Sequence, residues 1–240
     1  MRCTRSRILL CGVVFALTAQ SPSPSLPAAP LRHLEFNYAV DYQSMGSIDT
    51  GAIGPTAGAA TQSYTGGSGR QGKMIVDIMA VAKDGGLLVR AAEWPDTEPK
   101  EQQTFTCAVY ADMRVLCPGS LPVTDAETTL MTFLAHNFVD PNAIDANNHW
   151  QEKYSNQYVD SVGDFTVTST ANDGKLATIV GHSTVKSVNG ANQDWTDDSK
   201  IVYDLTKEVP TSVHVVSKQA ARGSHSYSST MDFTLTKDSL

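Results

Sequence analysis

Cationic residues are few in this chain. Its 240 residues hold 18 lysines and arginines against 25 aspartates and glutamates, which gives a formal net charge of −7. Binding of nucleic acid needs a basic surface that neutralises phosphates, so we expect no nucleic-acid partner. The content of 41% hydrophobic residues also argues against a collagen-like or wholly disordered chain.

Long apolar runs are scarce as well, and the longest lies at the N-terminus. Residues 8–19 are almost entirely apolar, follow Arg2, Arg5 and Arg7, and precede a segment rich in serine and proline. A basic start and a short apolar run are the layout of a secretory signal peptide, whereas a membrane-spanning helix needs about 20 apolar residues. We predict a signal peptide over residues 1–19, with an anchoring helix as the alternative.

Export of the mature chain follows from this segment. Cleavage after Ala19 is expected, with a site as late as Ala29 as the alternative, and residues 20–32 form a linker rich in proline, serine and alanine. The predicted location is the periplasm or the extracellular space. No transmembrane segment is expected after cleavage, because no other run is long or apolar enough.

Cysteine is rare, and only Cys107 and Cys117 lie outside the predicted signal peptide. The surrounding segment TFTCAVYADMRVLCPG predicts two short strands around a three-residue turn. This register pairs Val109 with Val115 and brings Cys107 opposite Cys117, within disulfide reach. We predict a disulfide worth about 2–3 kcal/mol. A redox pair or two free buried thiols are the alternatives, although the spacing lacks the C-x-x-C form of a redox site.

Catalytic motifs in a suitable context are absent. Residues 67–72 match the dinucleotide pattern G-x-G-x-x-G, but that pattern needs a preceding strand and a following helix, which this segment lacks. Ser183 and Lys186 match S-x-x-K within a predicted strand, where residues three apart face opposite sides. We interpret both matches as chance, and we predict no catalytic residue and no cofactor.

Metal-binding patterns are also missing. The histidines lack the spacing of a zinc site, so we predict no metal. Two weaker hypotheses stay open: that His182 and His214 meet in space, and that the acidic turn at residues 194–198 binds calcium weakly.

The chain does contain many segments of alternating hydrophobicity, which are typical of half-buried strands. We predict strands near residues 34–42, 73–83, 87–94, 148–155, 157–169, 175–188, 197–206, 211–219 and 224–236, beside the cysteine hairpin. The predicted fold class is mainly β. It is a single antiparallel sheet of about 10–11 strands, curled into a barrel or half-barrel as one domain over residues 33–240.

Two other segments complete this prediction. Thr124 and Glu127 form a capping box, and apolar residues at helical spacing follow as far as Phe138, so one amphipathic helix should pack on the sheet before Pro141 ends it. Residues 43–72 are rich in glycine and predict a long flexible loop. A disordered insertion and a flap over a cavity are the two interpretations of this loop.

The late pair of strands, Lys200–Leu205 followed by Val209–Val213, has an acidic strand end, a polar turn and a proline that opens the second strand. Together with the layout of residues 33–237, it resembles the half-barrel proteins of the periplasmic lipoprotein-carrier type. The resemblance implies an incomplete barrel lined with apolar side chains and covered by helices. It also implies binding of an acyl chain rather than catalysis.

We therefore predict an exported, non-enzymatic protein that holds a lipid or another hydrophobic small molecule. The alternative is a structural or interaction module with a packed core and no ligand. The predicted apolar lining comes from three strands and the helix: Leu34, Phe36, Tyr38, Val40, Leu130, Met131, Leu134, Ile201, Tyr203, Leu205, Met231, Phe233 and Leu235.

Overall fold

The computed structural model describes residues 29–50, 60–83, 86–97, 103–110, 115–117, 125–135, 145–155, 159–188, 194–219 and 225–240. The predicted signal peptide and most of the predicted linker lie outside these ranges. So do Thr124, Phe138 and Pro141 of the predicted helix boundaries. Within the described ranges, no helix is long and apolar enough to span a membrane.

Eleven strands and one helix are found in the part of the chain that the structure describes. The strands are β1 (Arg32–Thr50), β2 (Ala60–Val81), β3 (Leu87–Pro95), β4 (Gln103–Val109), β5 (Val115–Leu116), β6 (His149–Ser155), β7 (Val159–Ala171), β8 (Leu176–Ser187), β9 (Trp195–Asp204), β10 (Val209–Gln219) and β11 (Ser226–Asp238). The helix is α1 (Asp125–Ala135). The mainly β prediction is confirmed, and the predicted strands from residue 148 onward agree with β6–β11 to within a few residues.

All of these strands form one antiparallel sheet in the order β5-β4-β3-β2-β1-β11-β10-β9-β8-β7-β6. The first and last strands of the sheet are neighbours at its centre, where β1 pairs with β11. β5 and β6 are the edges, and over the described residues each pairs with one neighbour alone. The sheet is therefore open. Of the two predicted forms, barrel or half-barrel, the barrel is wrong, because closure would require β5 to pair with β6.

The predicted loop over residues 43–72 needs correction at both ends. β1 continues to Thr50 and β2 begins at Ala60, and the two strands pair without interruption from Arg32↔Ile78 to Thr50↔Ala60. Glycine has low strand propensity, but here long-range pairing outweighs that local preference. Residues 51–59 lie outside the described part of the chain.

One face of the sheet, called the inner face below, carries the core. On β1 the fully or nearly fully buried side chains are Leu34, Phe36, Tyr38 and Val40, at every second position as strand alternation requires. Helix α1 lies on this face, with Ala126, Leu130 and Met131 completely buried. It contacts β3, β4 and β5 on one side and β10 on the other.

The cysteine hairpin has the predicted register. Val109 pairs with Val115, and a disulfide joins Cys107 to Cys117. Cys107 is fully buried in the core, so the disulfide fastens the short edge strand β5 to the body of the sheet. Such bonds are typical of proteins that fold in an oxidising, exported environment.

Candidate ligand cavity

The structure places the predicted lining residues mainly in a packed core. Leu34, Phe36, Tyr38, Val40, Leu130, Met131, Ile201, Tyr203, Met231 and Phe233 are buried in one cluster, and Leu134, Leu205 and Leu235 pack against it. Of this set, Met231 borders the cavity described below. The predicted residues therefore lie mostly at the filled end of the inner face, and their role as a ligand lining stays a prediction.

Two cross-strand rows on the inner face of β8–β11 differ in chemistry. The first, called the packed row, consists of Ile179, Ile201, Val213 and Phe233, which are neighbours across the four strands. The second, called the polar row, lies four residues further along each strand and consists of Ser183, Asp197, Ser217 and Ser229. Between them lie Gly181, Ser199, Val215 and Met231.

A cavity of about 530 Å³ lies over the polar end of the inner face. Its lining comes from α1, from both edge strands and from β7–β11. The lining residues are Val115, Thr128, Thr129, Thr132, Phe133, Tyr154, Ser161, Phe165, Ser183, Val185, Trp195, Asp197, Ser199, Val215, Ser217, Gln219, Tyr227, Ser229 and Met231. Valine, methionine and aromatic side chains thus share the wall with hydroxyl groups.

Asp197 is the carboxylate of this wall. Its Oδ1 accepts a 2.5 Å hydrogen bond from the Ser217 hydroxyl, and its Oδ2 accepts a 3.1 Å bond from the indole N–H of Trp195. Burial raises the pKa of Asp197, and the two hydrogen bonds oppose that rise. Among the described lining residues there is no lysine, arginine or histidine.

An aromatic wall closes the side of the cavity at β6 and β7. The ring of Phe165 stacks on Trp150 with a centroid distance of 5.4 Å. The same ring lies against the backbone of Gly163 and Gly181, since a Cβ at Gly181 would come within 2.5 Å of a Phe165 ring atom and one at Gly163 within 2.8 Å. These two glycines provide the room in which Phe165 lies flat on the sheet.

The hydroxyl groups of the cavity wall make it polar as well as apolar. The Ser199 hydroxyl donates to the carbonyl of Gly181 over 3.4 Å. The Ser161 hydroxyl is buried and has no hydrogen-bond partner among the described residues. A buried hydroxyl without a partner is uncommon and needs a reason, such as a ligand or water.

The histidines that the sequence analysis considered lie on the opposite, outer face. His182 contacts Asp198 at 2.7 Å, and His214 contacts Asp232 at 2.7 Å. Each ring is thus engaged by its own carboxylate, and the described residues contain no cluster of three or more potential metal ligands.

The acidic turn does not form one site either. Asp197 faces the cavity, while its neighbour Asp198 contacts His182 on the outer face. Asp194 accepts a hydrogen bond from the backbone N–H of Ser187. Because β9 begins at Trp195, alternation along the strand separates the carboxylates that the sequence brought together.

Sequence reasoning missed the polar row, although a signal for it was present. Even numbers of residues separate the polar-row residues from apolar residues on the same strands, so both sets lie on the inner face. The polar-row residues are Ser183, Asp197, Ser217 and Ser229. A polar residue on the buried face of a strand indicates a site or a cavity. No protein-family model matches the chain, and no curated protein matches it significantly.

Proposed function

We propose that the chain is an exported binding protein that holds a small amphiphilic molecule in the cavity between α1 and the sheet. The observation that carries this proposal is a cavity of about 530 Å³ whose wall combines apolar, aromatic and hydroxyl groups. Cavities that bind small molecules are commonly about 300–1,000 Å³, mainly apolar, with a few convergent polar groups.

We also propose that the sheet is curled into a half-barrel around this cavity. Val115 of β5 and Tyr154 of β6 both line it, although these strands are the opposite edges of the sheet. In addition, α1 contacts both β3 and β10, which are separated by three strands in the sheet order. Curvature that brings the edges toward each other accounts for both observations.

Export to the periplasm or the extracellular space completes the proposal. The N-terminal signal-like segment and the Cys107–Cys117 disulfide both favour an oxidising compartment. In an aqueous compartment, a carrier of such a molecule has to bury the apolar part of the ligand away from water.

The test is a titration with 1-octanol, a neutral amphiphile, followed by tryptophan fluorescence, because Trp195 lines the cavity. We expect saturable binding, and native mass spectrometry of freshly purified protein should show a retained small molecule. Ser229→Phe should abolish the binding by filling the cavity. Ser228→Phe, the same change at the neighbouring residue outside the lining, should leave it unchanged.

Unsaturable responses to octanol together with an unliganded native mass would refute the proposal. In that case the packed structural module, which the core of the sheet also supports, would replace it.

A further inference from the structure

We propose that the cavity selects a ligand that carries a protonated amine on an apolar body, with the Asp197 carboxylate as the counter-ion. This inference rests on the proposed function and names the chemical class of its ligand. Because an anionic amphiphile is thereby disfavoured, it narrows the acyl-chain ligand that the carrier resemblance implies to one without a free carboxylate.

The first support is the charge balance of the cavity wall. Asp197 is half-buried on the wall, and the described lining residues include no cation that could neutralise it. Its two hydrogen bonds come from neutral donors, Ser217 and Trp195. A carboxylate removed from bulk water and without a cationic partner attracts a positively charged ligand group.

The second support is the remaining hydrogen-bonding capacity of that carboxylate. Its two oxygens offer about four lone-pair positions, and Ser217 and Trp195 use one on each oxygen. An ammonium group has three N–H donors and no acceptor. It can therefore donate to Asp197 and to a neighbouring hydroxyl of the wall, such as that of Ser183, which pairs with Asp197 across the strands, without a repulsive contact.

The third support is the aromatic content around the carboxylate. Trp195, whose indole N–H bonds to Asp197, lines the cavity together with Tyr154 and Tyr227. The faces of tryptophan and tyrosine rings attract cations, and the attraction grows when water is excluded. Threonines and Phe133 of α1 close the opposite side, where an apolar ligand body would lie.

The same groups disfavour an acid. A fatty-acid carboxylate in this cavity would add a second negative charge near Asp197, and like charges in a partly desolvated site repel each other. Asp198, on the outer face of the same strand, raises the pKa of Asp197, while His182 on that face lowers it. Neither side chain lines the cavity.

The experiment compares three probes of equal chain length: octylammonium, 1-octanol and octanoate. For the full-length mature protein at pH 7, we expect octylammonium to bind at least about tenfold more tightly than octanoate, with octanol between them. Asp197→Asn should weaken octylammonium binding by about tenfold and octanol binding by much less, because octanol carries no charge. Asp198→Asn is the matched control and should change neither affinity.

A second measurement needs no variant. The affinity of the wild-type protein for octylammonium should fall as the pH is lowered through the pKa of Asp197, while that for octanol should change much less. Tyr154 and Tyr227 are the other side chains of the described lining that carry an ionisable group.

The outcomes separate the two proposals. Octanol binding without a preference for octylammonium over octanoate would overturn the amine inference and leave the binding function intact. Equal loss of octanol and octylammonium in Asp197→Asn would likewise overturn it, since the residue would then act on the shape of the cavity rather than on charge. Failure of all three probes would refute both proposals.

Discussion

The packed row and the polar row lie on the same four strands, yet one is filled and the other borders a cavity. Ile179, Ile201, Val213 and Phe233 are almost completely buried against the rest of the core. Four residues further along, three of the four side chains are serines, and the backbone pairing continues without interruption. The space over the polar row thus results from small side chains, not from missing strands.

The room for a ligand lies at the end of the inner face that α1 leaves unfilled. α1 covers the inner face with Leu130 and Met131 toward the core, while Thr128 and Thr132 face the cavity. The helix is 11 residues long, which is about 16 Å at 1.5 Å per residue. One short helix cannot fill the whole inner face, so the rest depends on the size of strand side chains.

A truncation in the packed row should reduce stability the most. Ile201 is fully buried, and we predict that Ile201→Ala lowers the free energy of unfolding by about 2–5 kcal/mol, because the removed methyl groups leave a cavity in a close-packed region. Ser229→Val, which adds apolar volume beside existing space, should change it by less than about 1 kcal/mol. Urea denaturation of both variants measures the contrast, and similar losses would contradict it.

The second effect concerns the edge that completes the cavity wall. Replacing Cys107 and Cys117 together by alanine should lower the free energy of unfolding by about 2–3 kcal/mol, since the closed loop spans about ten residues. It should also weaken ligand binding, because Val115 of β5 lines the cavity and β5 is only two residues long. Thermal unfolding and octanol titration of this variant test both consequences.

Dithiothreitol provides the control for that prediction. The reductant should lower the stability of the wild-type protein and leave that of the double variant unchanged. A wild-type protein that is indifferent to reductant would contradict a stabilising disulfide.

Much of the architecture was predictable because local patterns and global pairing agree. The alternation in residues 157–236 predicted β7–β11 to within a few residues. Asn172, Asp173 and Gly174, which lie between β7 and β8, have positive backbone φ angles, and these residue types tolerate that conformation in turns. The spacing of Cys107 and Cys117 predicted their register. In these segments every local preference points to the same structure.

Two features could not be predicted from the same patterns. β1 continues beyond residue 42, and β2 begins before residue 73. Both extensions depend on pairing between glycine-rich segments, whose own propensity favours a loop. The cavity depends on which end of the inner face α1 covers, and that is set by tertiary contacts with β3, β4, β5 and β10. Alternation predicts which side chains share a face of the sheet, but it does not predict where along the strands a cavity lies.

The third prediction concerns Gly181, where an added methyl group would press on the Phe165 ring and on the Ser199 hydroxyl of the cavity wall. Gly181→Ala would place a methyl group within 2.5 Å of the Phe165 ring, so the ring has to move away from the sheet. We expect a loss of about 1–3 kcal/mol in the free energy of unfolding from this overpacking, and weaker octanol binding as the ring enters the cavity. Gly67→Ala, at an exposed position with ordinary contact distances, is the matched control.

Fluorescence of the wall reports the displacement directly. Phe165 stacks on Trp150, so the tryptophan emission of Gly181→Ala should shift relative to the wild type. A variant with unchanged emission and unchanged affinity would show that the wall relaxes elsewhere.

The smallest effects are those of two carboxylates whose pKa values move in opposite directions. The Arg32 guanidinium, 2.9 Å from Asp238, lowers the pKa of Asp238 to about 2. Asp238 therefore stabilises the fold above the ordinary carboxyl pKa, and this contribution is lost as the pH falls toward 2. Asp238→Asn should cost about 1–2 kcal/mol at pH 7, roughly half of that at pH 3, and progressively less as the pH falls toward 2.

Asp197 should behave in the opposite way. Burial in the cavity wall raises its folded-state pKa above the ordinary value of 3.8, so the folded protein binds a proton more tightly than the unfolded chain does. Its charge destabilises the fold above that raised pKa, and the penalty disappears as the pH falls to the unfolded value. Asp197→Asn should thus be slightly more stable than the wild type at pH 7 and equally stable near pH 3.

Denaturation midpoints of both variants across this range give two difference curves of opposite sign. If Asp197→Asn instead loses stability at neutral pH as Asp238→Asn does, then the ionised Asp197 carboxylate stabilises the fold. The polar row would then contribute to stability as the packed row does.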